Sequence, residues 1–139
     1  MSEERGNLTL LLLSVREKVR RDFLPALRKA GLTNQQWRIL RILYERGDSG
    51  INQLSNDCVI MRPSVASIIP RLEKANFVAR NKVPGDKRRT SISLTPKGRA
   101  KVEEILPTFS DLYQRLEERL GKPELDELFA VLRKVNAKL

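Results

Sequence analysis

The strongest chemical signal in the chain is a block of like charge. Between positions 62 and 101 stand eleven Lys or Arg (Arg62, Arg71, Lys74, Arg80, Lys82, Lys87, Arg88, Arg89, Lys97, Arg99, Lys101) against two acids, Glu73 and Asp86. That net of +9 accounts for nearly all of the +10 carried by the 139 residues. A one-sign block suits a polyanionic partner, and nucleic acid comes first because Lys and Arg displace the counterions condensed on phosphates. A basic surface kept for solubility is the plainer alternative. An anionic membrane surface fits less well, since it would want the bases beside an exposed apolar stripe, and this segment has turn and strand patterns instead. Asp86 is the exception inside the block. An acid there weakens phosphate attraction, so its use would be to pair with Arg88 and fix that side chain's direction, or simply to make a turn.

Other chemistry is poorly supplied. The chain has no histidine and one cysteine, Cys58, which removes the commonest general base and excludes a His/Cys zinc site and an intrachain disulfide. Ser64 and Ser67 lack a His partner, no glycine-rich phosphate loop occurs, and the pairs Glu103-Glu104 and Glu117-Glu118 fall in helical patterns where adjacent residues diverge. The expectation is a non-enzyme with no metal and no cofactor. The apolar run Leu8 to Leu13 falls far short of the roughly 20 residues needed to span a membrane, and Glu3 and Glu4 spoil the basic start of a signal peptide. A cytoplasmic protein is expected.

The elements that would hold the basic block can be read from periodicity. Leu8, Leu11, Leu12, Val15, Val19, Phe23, Leu24 and Leu27 recur at helical spacing up to Gly31, with Pro25 expected to bend or reset the helix. Thr33 and Gln36 form a capping box that opens a helix carrying Trp37, Leu40, Leu43 and Tyr44. Gly47 to Gly50 stops it, and a short helix follows over 51–57. Pro63 suits the start of a third helix, 62–76, which buries Val65, Ile68, Ile69 and Leu72 and leaves Ser64, Ser67 and Arg71 on other faces. Residues 77–94 read as a β-hairpin turning at Val83-Pro84-Gly85-Asp86. Thr95-Pro96 then opens a helix with the stripe Val102, Ile105, Leu106, Phe109, Leu112, Tyr113, Leu116 and Leu120, interrupted by Pro107. After Gly121 a last helix presents Leu125, Leu128, Phe129, Leu132 and Val135.

This order predicts one domain, mainly α with a small β-hairpin (α+β): a winged helix-turn-helix lobe over 33–94, flanked by helices at 8–31 and 95–139. Helix 62–76 would lie in the major groove of double-stranded DNA, and hairpin 77–94 would be the wing, with Arg88 and Arg89 at its tip directed at the minor groove. The DNA-contact set is Arg62, Ser64, Ser67, Arg71, Asp86, Lys87, Arg88 and Arg89.

Asp86-Lys87-Arg88-Arg89, followed by Leu94-Thr95-Pro96-Lys97-Gly98, resembles the acidic-x-Arg wing and the Leu-Thr-x-x-Gly helix start of the MarR family of bacterial regulators. Leu32-Thr33-Asn34-Gln35-Gln36-Trp37-Arg38-Ile39-Leu40 and Arg71-Leu72-Glu73 add to the likeness. The first of these, with Arg62-Pro63-Ser64, resembles the branch of homoprotocatechuate-operon repressors. The resemblance spans nearly the whole chain. It implies a homodimer joined through the first and last two helices, a palindromic operator with half-sites about one helical turn (roughly 34 Å) apart, and repression of an aromatic-catabolic operon. Ala66-Ser67 and Pro70 depart from the family's pattern, and Pro70 is expected to kink the helix.

The resemblance also implies release by a small aromatic carboxylic acid. Arg16, Phe23, Trp37 and Arg41 are the candidate ligand residues, with Arg16 placed to hold a carboxylate or to make a salt bridge between protomers, and Trp37 also readable as core. A redox-responsive repressor using Cys58, and a basic nucleic-acid or protein interaction module without operator specificity, remain as alternatives.

Overall fold

The computed structural model describes residues 6–139, apart from the side chains of Lys87 and Arg88. Six helices and one hairpin follow in order: α1 (Leu8–Lys29), α2 (Asn34–Arg46), α3 (Ile51–Cys58), α4 (Arg62–Lys74), β1 (Val78–Val83), β2 (Asp86–Leu94), α5 (Pro96–Leu120) and α6 (Lys122–Lys138). Two compact units meet at Leu106–Pro107, within α5.

In the first unit, the Asn7 side chain caps α1 by accepting from the Leu10 N–H at 3.0 Å. The helix runs unbroken through Pro25, so the expected reset does not occur. Its stripe divides in two: Phe23 and Leu27 are buried, while Leu8, Leu10 to Leu13 and Val15 stay exposed. Thr33 and Gln36 make the reciprocal capping box, each side chain bonded to the other residue's backbone N–H at 3.0 to 3.1 Å.

Helices α2, α3 and α4 pack around Ile39, Leu40, Leu54, Val65 and Ile69, all wholly inaccessible to solvent. Burying a side chain of this kind stabilises by roughly 1.5–3 kcal/mol. Ile68, expected in this core, is only half-buried. The α4 helix ends at Lys74 and continues through Pro70. Pro70 has no N–H for the Ala66 carbonyl, but both residues face solvent, where water can take that bond.

The hairpin, expected over 77–94, spans 78–94, and its strands reach into the expected turn, taking up Val83 and Asp86. Register runs from Val78↔Leu94 to Lys82↔Thr90 and then jumps to Val83↔Asp86. Residues 87–89 are therefore a bulge in β2, and the turn itself is Pro84-Gly85, with Gly85 at φ +83°. Ser49 adds a bridge that the sequence did not announce, exchanging two backbone hydrogen bonds with Ile92 at 2.7 and 3.0 Å. That bridge fastens the wing to the segment between α2 and α3.

Thr95 joins wing to helix. Its hydroxyl donates to the Asn76 carbonyl at 2.5 Å and accepts from the Gly98 N–H at 3.0 Å, which makes it the N-cap of α5. Gly98 is required by close approach, because a Cβ there would collide with the Phe77 carbonyl.

The second unit holds the later turns of α5 and all of α6. Gly121, at φ +88°, makes the break between them. Phe109 and Leu125 are buried, and Tyr113 and Phe129 stack at a tilt with centroids 6.4 Å apart. Leu128, Phe129, Val131, Leu132 and Val135 remain 37–51% exposed. No helix among the described residues is long and apolar enough to cross a membrane.

Candidate nucleic-acid interface

The amphipathic spacing of α4 sorts its side chains. Val65, Ile69 and Leu72 are buried, whereas Arg62, Pro63, Ala66, Ser67, Pro70, Arg71 and Lys74 lie on the solvent face. Arg62, Ser67 and Arg71 from the sequence-derived set are thus brought onto one exposed surface. Ser64 is half-buried beside them.

The wing residues sit differently from the expectation. Lys87, Arg88 and Arg89 occupy the bulge of β2 just past the turn, not the tip, and Pro84-Gly85 occupies the tip. Asp86 lies 3.9 Å from the Arg89 guanidinium Nε, a long ion pair at an exposed site. The expected pairing of Asp86 with Arg88, and the contacts expected of Lys87, concern side chains outside the described residues.

Several members of the basic block turn out to serve the fold. Arg80 is paired with Glu73 at 2.6 Å, tying β1 to α4. Lys97 donates to the Ala75 carbonyl at 2.9 Å and lies over the Phe77 ring, Arg99 lies over the Tyr44 ring, and Lys101 meets Glu104 at 3.6 Å. By contrast, no ion pair among the described residues engages Arg62, Arg71, Lys74 or Lys82. Charge counting could not separate these two groups, because it carries no information on where each side chain ends.

Of the expected ligand residues, Trp37 and Phe23 are buried. The Arg41 guanidinium stands 6.0 Å from the Trp37 ring centroid and is paired with Glu45 at 2.8 Å. Arg16 is half-exposed and paired with Glu17 at 3.0 Å. A shallow depression of about 270 Å³ is lined instead by Phe77, Lys97, Ala100, Lys101 and Glu104.

Arg38 was missed as a site residue. Its only sequence signal is a charge set between Trp37 and Ile39, both buried. It donates to the carbonyls of Cys58 at 2.8 Å and Val59 at 3.3 Å, and so braces the turn that leads into α4. Val59 there adopts left-handed φ 54°, an uncommon state for a β-branched residue. Burial, and then the charge of Arg16, lower the Arg38 pKa, with Arg20 adding to the same direction. Arg46 and Asp57, 2.9 Å apart, hold α2 to α3 nearby.

Cys58 is buried, with its thiol 3.5 Å from the Arg38 carbonyl. Burial pushes its pKa from the ordinary 9.0 up to about 11, against the lowering influence of Arg38 and with a smaller raising one from Asp57. A peroxide-sensing cysteine needs the reverse, an accessible thiolate. Among the described residues no cluster of Cys, Asp and Glu is arranged to hold a metal ion.

A helix-turn-helix formed by α3 and α4, followed by a hairpin anchored at Ser49, defines a winged helix-turn-helix protein. The sequence model of the MarR family matches residues 32–90. The chain is 38% identical over 135 residues to the HTH-type transcriptional regulator FarR of Neisseria gonorrhoeae, spanning 95% of this chain and 92% of that one. It is 33% identical over 126 residues to the homoprotocatechuate degradative operon repressor of Escherichia coli, covering 91% and 85% respectively. The chain belongs to the MarR family of transcriptional regulators, as the wing and the capping-box segment suggested.

Solved structures agree. NadR in complex with 4-hydroxyphenylacetate superposes with a TM-score of 0.84 at 37% identity, covering 94% of this chain and 92% of that one. A mutant MarR from E. coli complexed with operator DNA gives 0.84 at 26% identity, with 95% of each chain covered.

Proposed function

We propose that the protein is a homodimeric repressor that binds a palindromic operator controlling aromatic-compound catabolism and leaves it when a small phenolic acid binds. The observation that carries DNA binding is the solvent face of α4, which keeps Arg62, Ser67 and Arg71 exposed while its opposite face is buried in the core. Ser64 and the wing residues Asp86, Lys87, Arg88 and Arg89 complete the contact set, with wing guanidiniums suited to a narrow, electronegative minor groove. Support for the dimer comes from the exposed apolar faces of α1 and α6, which are too extensive to be left in water. The operator-bound relative supports the DNA target. The operon repressor and the phenylacetate-bound relative support the catabolic operon and the effector class, and Arg16, Phe23, Trp37 and Arg41 are the residues assigned to that effector.

Fluorescence anisotropy with a duplex from upstream of the chain's own coding sequence tests this reading. Binding should survive excess random duplex, and Arg71→Ala should lower the salt slope of log K by about one if it neutralises a phosphate. Equal competition by random duplex would overturn operator specificity and leave a general nucleic-acid module.

A further inference from the structure

The solvent face of α4 separates its charges from its apolar groups. By helical geometry, Pro63, Ser67, Pro70 and Lys74 fall within about 60° of one another, opposite the buried Val65, Ile69 and Leu72. They form the crest of the exposed face. Arg62 and Arg71, both exposed, lie about 90° to either side of that crest. Side chains so placed reach the phosphates along the two edges of a groove, contacts that position a protein on the duplex without reading its sequence.

The crest itself is poor in hydrogen-bonding groups. It carries no Arg, Asn or Gln, the side chains that pair with guanine or adenine edges through two hydrogen bonds. Its one Lys stands in the last turn, whereas the N-terminal part of a recognition helix is what meets the bases. Ahead of Lys74 the crest therefore presents two proline rings and one hydroxyl. Pro63 is favoured at a helix start, but Pro70 is not favoured where it stands. It leaves the Ala66 carbonyl without a backbone partner and, being exposed, fills no place in the core. A residue that breaks a local rule with no gain in packing marks a functional position. What Pro70 supplies is a rigid apolar ring that has no rotamer freedom to lose on binding. Met61, at the N-cap of α4, adds a further apolar side chain that is 77% exposed.

The apolar group that the bases present in the major groove is the 5-methyl of thymine, and it distinguishes thymine from cytosine and from the purines. We infer that Pro63 and Pro70 read thymine 5-methyl groups, with Arg62 and Arg71 holding phosphates on either side and Ser67 supplying the hydrogen-bonding group between the two rings. Sequence preference along α4 is then set by apolar contact. This deepens the DNA-binding reading above and rests on it. Each methyl covered by a ring strengthens binding by removing apolar surface from water, and a dimer, which presents α4 twice, repeats the gain in both half-sites.

Selection from a library of random duplexes identifies the preferred site of the full chain. That site is then made with thymidine and with deoxyuridine, which lacks the 5-methyl and leaves the hydrogen-bonding pattern of the minor groove as it was. Full replacement should weaken binding about tenfold or more in fluorescence anisotropy. Pro63→Ala and Pro70→Ala should each lower affinity for the thymidine duplex about threefold or more and leave affinity for the deoxyuridine duplex that of wild type. Circular dichroism checks that both are folded, and Pro70→Ala, which regains a helix hydrogen bond, should have a Tm at or above that of wild type. Single thymidine replacements should locate the contacted methyls, with the effect at one position lost in Pro63→Ala and at another in Pro70→Ala. Equal affinity of wild type for the two duplexes would overturn the methyl readout while operator specificity stood. An undiminished deoxyuridine penalty in both variants would place the methyl contacts on other side chains and overturn the assignment to the prolines. A loss in Pro70→Ala that is the same on both duplexes would make Pro70 a residue that sets helix shape and overturn its part in the readout. A library from which no sequence is enriched would remove operator specificity, and the methyl readout with it.

Discussion

Helices α4 and α6 both carry regular apolar stripes, yet they meet opposite ends. On α4, Val65, Ile69 and Leu72 are at most 1% exposed, because α2, α3 and the hairpin supply apolar surface to cover them. On α6, Leu125 is buried and Leu128, Phe129, Leu132 and Val135 are left partly open. The stripe alone does not say which fate applies. On α4 the remaining polar face becomes the surface available to a partner, and on α6 the apolar face does. Helix α1 shows both outcomes in one element, with Phe23 and Leu27 packed and the leucines from Leu8 to Leu13 exposed.

The contrast can be tested by substitution. Ile69→Ala empties a fully packed position and should cost roughly 2–5 kcal/mol in urea unfolding, by an amount that does not vary with protein concentration. If α6 is covered by a second copy, Leu132→Glu buries a charge there and should weaken association by about 3 kcal/mol, seen as monomer mass in light scattering at micromolar protein. An unchanged mass would show that the α6 face is not the dimer contact. Gly98→Ala forces the α5 start away from Phe77 and should cost roughly 1–3 kcal/mol, with the Tm falling while the mass in solution stays that of wild type.

The smallest effect concerns pH. Because the folded Cys58 pKa is raised, folding retains the proton that an unfolded thiol gives up, so this contribution is fully present below pH 9 and is lost as pH rises through about 11. Cys58→Ala should flatten the fall in stability across that window relative to wild type. Iodoacetamide should label native Cys58 far more slowly than unfolded chain at pH 8. Fast native labelling would revive the redox reading.

Much of the lobe was legible because its signals are local. The Thr33–Gln36 box, the Gly85 turn and the Thr95-Pro96 helix start each depend on side chains a few residues apart, and all three form. The sequence pattern marks a hairpin over 77–94, where strands 78–83 and 86–94 pair, but gives no sign of the bulge. A register jump depends on how two strands pair, and alternation in either strand cannot reveal it. Nor could composition divide the basic block, since Arg80 meets Glu73, and Arg99 meets Tyr44, only after the chain has folded.

Sequence by itself determined the element order, the +9 block and the amphipathic helices, because periodicity, capping and charge are properties of neighbouring residues. Tertiary structure decided that Arg38 braces the Cys58–Val59 turn twenty positions away, that Ser49 holds the wing through Ile92, and that two guanidinium donors are buried without an acceptor. Each of these joins residues distant in the chain, and only the packed core brings them within hydrogen-bonding reach.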